Sequence, residues 1–258
     1  MAELLSRRAT LILLLWGALL HCSGAAADSV CGPTVILSTA DADKVRRDCT
    51  TINGNLLINQ TTEEINLDGL QTVNGSLSVW GCARDDTECP EQPEPFTISS
   101  STLSAVHGYL GVDRVAGLSN LTLPNLEVVD GVFDLSRPLD STYVDITNLH
   151  TVAGFFIFAT PDLKTLRHNG LREITYNAGW GRRSIYVTQA DVDSLDSLFK
   201  SPVIGNIYQA GFDLVPNVQE LNFGLESVRQ VTFTGNGNLT VTLGGPETTT
   251  MELGSLGL

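Results

Sequence analysis

VNGSLSV, residues Val73 to Val79, decides how this chain folds, because the same box returns along most of its length. It recurs as INGNLLI (Ile52 to Ile58), VHGYLGV (Val106 to Val112), VDGVFDL (Val129 to Leu135) and VAGFFIF (Val152 to Phe158). Strand side chains alternate between faces, so the first, third, fifth and seventh positions share a side. That side is apolar in all five copies and is expected to face the core. The intervening positions, such as Asn74, Ser76 and Ser78, are more often polar, with Leu57, Val132, Phe155 and Ile157 as departures. Glycine at the third position leaves a strand nothing to pack, which predicts a corner where the backbone bends or another coil comes close.

Successive boxes start 21, 33, 23 and 23 residues apart. Another apolar residue stands three positions before most of them, at Leu70, Leu103, Leu126 and Leu149, with Cys49 in that place before the first. Shorter apolar pairs precede these, as at Ile65 and Leu67, Leu121 and Leu123, and Val144 and Ile146. Each repeat reads as two short strands joined by a turn, too short for a long helix. A fixed period of this size predicts a solenoid whose coils stack because none buries enough surface alone. The fold expected is all-β, a right-handed β-solenoid with a short N-terminal capping helix.

Residues 1–27 read as a signal peptide: Arg7 and Arg8, an apolar run from Ala9 to Leu20, then Ala25 to Ala27. The run of about 12 is shorter than the roughly 20 residues that span a bilayer. Removing this segment leaves 13 of the 15 basic and 28 of the 29 acidic residues. So acidic a surface repels phosphate backbones, which disfavours nucleic acid as a partner. Residues 28–243 read as the solenoid and 244–258 as a flexible C-terminal segment.

Cys31, Cys49, Cys82 and Cys89 form an even set in an oxidising compartment, which allows three pairings. Pairs Cys31 with Cys49 and Cys82 with Cys89 are favoured because each is close in sequence and brackets a local feature. Between the first two, Ser38 or Thr39 reads as the N-cap of a short helix with Asp41 and Asp43 in its first turn and Arg46 and Arg47 near its end. Val192, Leu195 and Phe199 recur at helical spacing, predicting another short helix stopped by Pro202. VIGNIYQ (Val203 to Gln209) and LESVRQVTF (Leu225 to Phe233) look like degraded boxes. Sequons at Asn59, Asn74, Asn120 and Asn238 are candidate glycosylation sites.

The signal sequence, the cysteine-bounded helix followed by CTTINGNLLI, and the LxxVxGxLxV box together resemble the receptor L-domain-like repeats of fungal cell-wall organisation proteins. The resemblance covers roughly Cys31 to Thr242. It implies a receptor L-domain or leucine-rich-repeat-like solenoid and a GPI-anchored glycoprotein at the plasma membrane and wall. Its final residues, GGPETTTMELGSLGL, depart from that family by lacking the apolar run of about 10 to 20 residues that a GPI signal carries.

On this reading the protein is a non-catalytic, secreted cell-surface glycoprotein supporting wall organisation. Its partners are wall polysaccharide or other surface glycoproteins, with no cofactor or metal. A carbohydrate-active β-helix enzyme is one alternative, but no recurring acidic position is expected to line carboxylates up on an outer face. His107, His150 and His168 lack partners at metal or triad spacing. A receptor-type ligand-binding L domain is another. The patch singled out for binding is YNAGWGRR, with Tyr176, Trp180, Arg182 and Arg183, since aromatic and arginine side chains together suit sugar or protein contact.

Overall fold

The computed structural model describes residues 29–59, 64–81, 94–137, 143–175, 183–195, 198–213, 215–234, 239–243 and 252–257. The chain winds as a β-solenoid. The first coil holds β1 (Val30–Cys31), β2 (Thr34–Ile36) and α1 (Thr39–Asp48), and the next β3 (Thr51–Ile52), β4 (Leu56–Asn59) and β5 (Ile65–Asn66). Above these lie β6 (Thr72–Val73), β7 (Leu77–Trp80) and β8 (Phe96–Ser99), then β9 (Ala105–Val106), β10 (Leu110–Asp113) and β11 (Leu118–Thr122). In the following coils the first two strands merge. These hold β12 (Val128–Ser136) with β13 (Tyr143–Asp145), and β14 (Thr151–Thr160) with β15 (Thr165–Arg167). The remainder is β16 (Leu171–Ile174), β17 (Ser184–Ala190), β18 (Phe199–Asp213), β19 (Glu220–Phe223), β20 (Leu225–Thr234), β21 (Thr240–Leu243) and β22 (Glu252–Gly257).

Every pairing among these strands is parallel, each strand matching the equivalent one a coil away. The expectation of two strands per coil is corrected to three. The box itself bends at Asn74 and Gly75, splitting β6 from β7, and the preceding apolar pair supplies the third side, the sheet β5-β8-β11-β13-β15. The predicted glycine corner is there, and its cause is close approach. A Cβ on Gly75 would fall 2.6 Å from the Gly54 carbonyl, one on Gly108 2.7 Å from that of Gly75, and one on Gly131 2.5 Å from that of Gly108.

The inward face matches the alternation through four boxes, with Val73, Leu77, Val79, Val106, Leu110, Val112, Val129, Phe133 and Leu135 all buried. The fifth box departs from it. Val129 pairs with Val152, but Val132 pairs with Gly154, so β14 is one residue short against β12 and its phase flips. Phe155 and Ile157 therefore fill the core, while Phe156 and Phe158 face outward.

The helix predicted around Val192 to Phe199 is not formed in its described residues. Leu198 N–H donates to the Leu195 carbonyl at 3.0 Å, the same turn as Leu70 to Leu67 and Leu126 to Leu123. Spacing by three is the solenoid's corner here, and β18 starts at Phe199 and runs through Pro202. The degraded boxes are real rungs, since β18 and β20 pair. At the C-terminal end of the described residues, β22 pairs with β20 and carries the sheet to Gly257.

Ser38 is the N-cap of α1, its Oγ accepting from Asp41 N–H at 3.3 Å, and Ala42 and Val45 are buried. The helix packs on β5, at the edge where a further strand of that sheet would pair. Cys31 and Cys49 form a disulfide with Cα atoms 5.6 Å apart. Cys82 and Cys89 lie outside the described residues.

Candidate functional site

The side chains singled out from sequence are dispersed. Of the patch Tyr176, Trp180, Arg182 and Arg183, only Arg183 lies in the described residues, where its carbonyl accepts from Tyr208 N–H at 2.8 Å. Asn59 and Asn74 are exposed and Asn120 is half-buried on β11, whereas Asn238 lies outside the described residues. His107 Nδ1 sits 2.7 Å from Asp130 Oδ2 and His150 Nδ1 2.9 Å from Thr151 Oγ1. Glu127, His150 and Arg172 stack on consecutive rungs beside a cleft of about 270 Å³. Among the described residues no three His, Cys, Asp or Glu side chains cluster as metal ligands, and no helix is long and apolar enough to cross a membrane.

A more extended constellation covers the outer face of the long sheet. The register stacks Gly111, Asp134, Phe156, Tyr186 and Gly211 on successive rungs, one residue from each of β10, β12, β14, β17 and β18. Rungs lie about 4.8 Å apart, so this column runs about 19 Å along the solenoid axis. Both glycines leave room for aromatic rings. The Tyr109 ring crosses Gly111 and its hydroxyl donates to Asp134 Oδ2 at 2.8 Å. The Tyr186 ring leans over Gly211, whose Cβ would lie 2.8 Å from Tyr186 Cδ1, and its hydroxyl donates to Gln209 Oε1 at 2.7 Å. Gln209 Nε2 in turn donates to Gln230 Oε1 at 3.0 Å. Phe156 meets Tyr186 edge-on, with ring centroids 5.4 Å apart.

Tyr109, Phe156 and Tyr186 are half-buried. Beside them Phe158 is exposed, two residues along β14 from Phe156. The strip thus combines aromatic rings with oxygen acceptors, and sequence reasoning missed it. Its residues are spread from Tyr109 to Gln230, and only the flipped phase of β14 turns Phe156 and Phe158 outward. The surplus of aromatic residues in VAGFFIF was the available signal.

Acids also stand on this face, at no position that recurs from rung to rung. Asp113 and Asp134 stand on neighbouring rungs of this outer face, with Asp213 further along it. Burial pushes the Asp134 carboxyl above its ordinary range, against hydrogen bonds from Ser136 and Tyr109 that pull it down. Burial also pushes the Tyr109 hydroxyl well up, helped by the adjacent Asp134 charge. Asp113 is bracketed by Arg137 Nη2 at 3.1 Å and Arg114 Nε at 3.3 Å.

No family model, curated protein or solved structure matches this chain. The reading of the strip rests on its own chemistry. Aromatic faces take the C–H faces of a sugar ring, and carboxylate and amide oxygens accept from its hydroxyls. A chain with net charge −14 disfavours anionic ligands on such a face.

Proposed function

We propose that this protein is a non-catalytic, secreted cell-surface glycoprotein that supports fungal cell-wall organisation by holding a neutral polysaccharide along the outer face of its long sheet. The observation that carries this reading is the group of outer-face rings, Tyr109, Phe156 and Tyr186 half-buried and Phe158 exposed, set among Asp113, Asp134 and Gln209. Rungs about 4.8 Å apart suit an extended sugar polymer. The resemblance over Cys31 to Thr242 adds the wall and the surface address.

The test is titration of soluble neutral wall oligosaccharides (glucan, mannan and chitin fragments) into the secreted protein, followed by calorimetry. Binding that weakens about 2- to 10-fold in Phe158→Ala and again in Tyr186→Ala supports the reading. Absence of binding to all three overturns it.

A carbohydrate-active enzyme is the second reading, favoured by the Asp113 and Asp134 pair. Paired carboxylates on one face are what glycoside hydrolysis requires. Against it, both Asp134 oxygens already accept from hydroxyls and Asp113 is engaged by two guanidinium groups. Release of reducing ends from wall polysaccharide, lost in Asp134→Asn, would decide for the enzyme.

A further inference from the structure

Beyond the strip, the N-terminal end of the same outer face carries an apolar patch around a sequon asparagine. Asn59 ends β4 and pairs directly with Trp80 of β7, so the two side chains are cross-strand neighbours about 4.8 Å apart at their backbones. On the other side, Ile58 pairs with Ile36, which places Leu37 beside Asn59. Trp80 is 56% exposed and Leu37 59%, and Val35, paired with Leu57, is 51% exposed. Thus three of the large hydrophobic side chains most open to solvent gather about one exposed Asn-x-Thr asparagine.

We propose that Asn59 carries an N-linked glycan whose innermost sugars pack on Trp80 and Leu37, so that the sugar completes the protein surface there. This rests on the secretory route that the proposed function also needs. In the step itself, Nδ2 of Asn59 displaces a polyprenyl diphosphate from the anomeric carbon of a lipid-linked oligosaccharide. A C–N bond forms, the C–O bond to the diphosphate breaks, and the amide loses one proton. The product places a pyranose within reach of the indole face, where C–H groups stack on the ring. Water is then excluded from surface that the polypeptide leaves bare.

The experiment uses the protein secreted from a eukaryotic host, with site occupancy read by peptide mapping. Acrylamide quenching of tryptophan and Tm are measured on the native glycoprotein, after an endoglycosidase that leaves the first sugar, and after a peptide amidase that removes the whole glycan. Trp80→Phe assigns the quenching signal. We expect Asn59 to be occupied, Trp80 to become more quenchable only on complete removal, and Tm to fall by about 2 to 4 °C with it. In Trp80→Ala that fall should largely vanish. Asn59 found bare while Asn74 or Asn120 is glycosylated sinks this inference alone. All four sequons bare sinks it together with the glycoprotein reading. Unchanged quenching of Trp80 after complete removal also overturns it.

Discussion

The Tyr109 ring occupies the space above Gly111 that any side chain at that position would fill. Gly111→Ala should therefore displace the ring, break its hydrogen bond to Asp134 and cost about 1 to 3 kcal/mol. In a Tyr109→Ala background the same change should be neutral or stabilising by up to about 1 kcal/mol, since alanine suits a strand better than glycine. Denaturant midpoints of the four proteins measure the coupling, and equal costs in both backgrounds would refute it.

Phe133 and Phe155 stack in the core on adjacent rungs, centroids 5.3 Å apart and planes 13° apart, both fully buried. Phe155→Ala should cost about 3 to 5 kcal/mol. Because each coil touches mainly its neighbours, the loss should be local. Hydrogen exchange should accelerate in β12, β14 and β17 before β4 or β7 responds; uniform acceleration would contradict a quasi-one-dimensional fold.

Four non-glycine residues, Arg114, Arg137, Ala159 and Gln189, hold φ between 51° and 53° at equivalent places of the register, just past β10 and β12 and one residue before the ends of β14 and β17. Gly81 occupies the same place in the coil of β7. A left-handed residue with a Cβ is disfavoured by roughly 1 to 2 kcal/mol. Ala159→Gly should leave stability unchanged or raise it by up to about 1 kcal/mol, whereas the branched Ala159→Val should lower Tm clearly.

The pH dependence of stability should carry opposing contributions. Asp68 is held below its ordinary range first by the Ser101 N–H, donating at 2.6 Å, and Asp41 first by the Leu37 N–H at 3.0 Å. Both carboxylates are more acidic folded than unfolded, so their contribution is present above the ordinary carboxylate range and lost as pH falls through the lowered values. Asp134 is raised, so its contribution is present at acid pH and lost as pH rises through the ordinary range to the raised value. The Tm of Asp134→Asn relative to the parent should accordingly increase between about pH 3 and pH 8, and that of Asp68→Asn should decrease. Parallel Tm profiles for variants and parent would refute the assignment.

Replacing both Cys31 and Cys49 by serine should lower unfolding free energy by about 2 to 3 kcal/mol, for a loop of 18 residues. Chemical denaturation with and without reductant measures it; indifference of the parent to reductant in the unfolding transition would count against the bridge.

Much of the fold was legible because alternation and period are properties of the chain alone. Val73, Leu77 and Val79 could be placed inward without coordinates, and so could the helix between Ser38 and Cys49. Three features required the stacked coils. The bend at Gly75 turns one apparent strand into two, and nothing local distinguishes it from a strand running on, as β12 does past Gly131. Leu195 and Leu198 repeat by three in a corner as they would on a helix, and only pairing of the flanking rungs tells these apart. The missing residue between Val152 and Gly154 reverses the phase of the rest of β14, and so hid the outward Phe156 and Phe158. The candidate strip was illegible for the same reason, since Tyr109, Asp134 and Tyr186 become neighbours only through register.

A strip assembled from one side chain per coil has a length set by the number of coils that contribute to it. Because the unit between Val106 and Val129 or between Val129 and Val152 is 23 residues, an in-frame duplication of such a unit inserts another rung without disturbing its neighbours. Such a surface can be lengthened or shortened by whole steps during descent, so that reach along a polymer evolves by counting units while the chemistry of each step stays as it was.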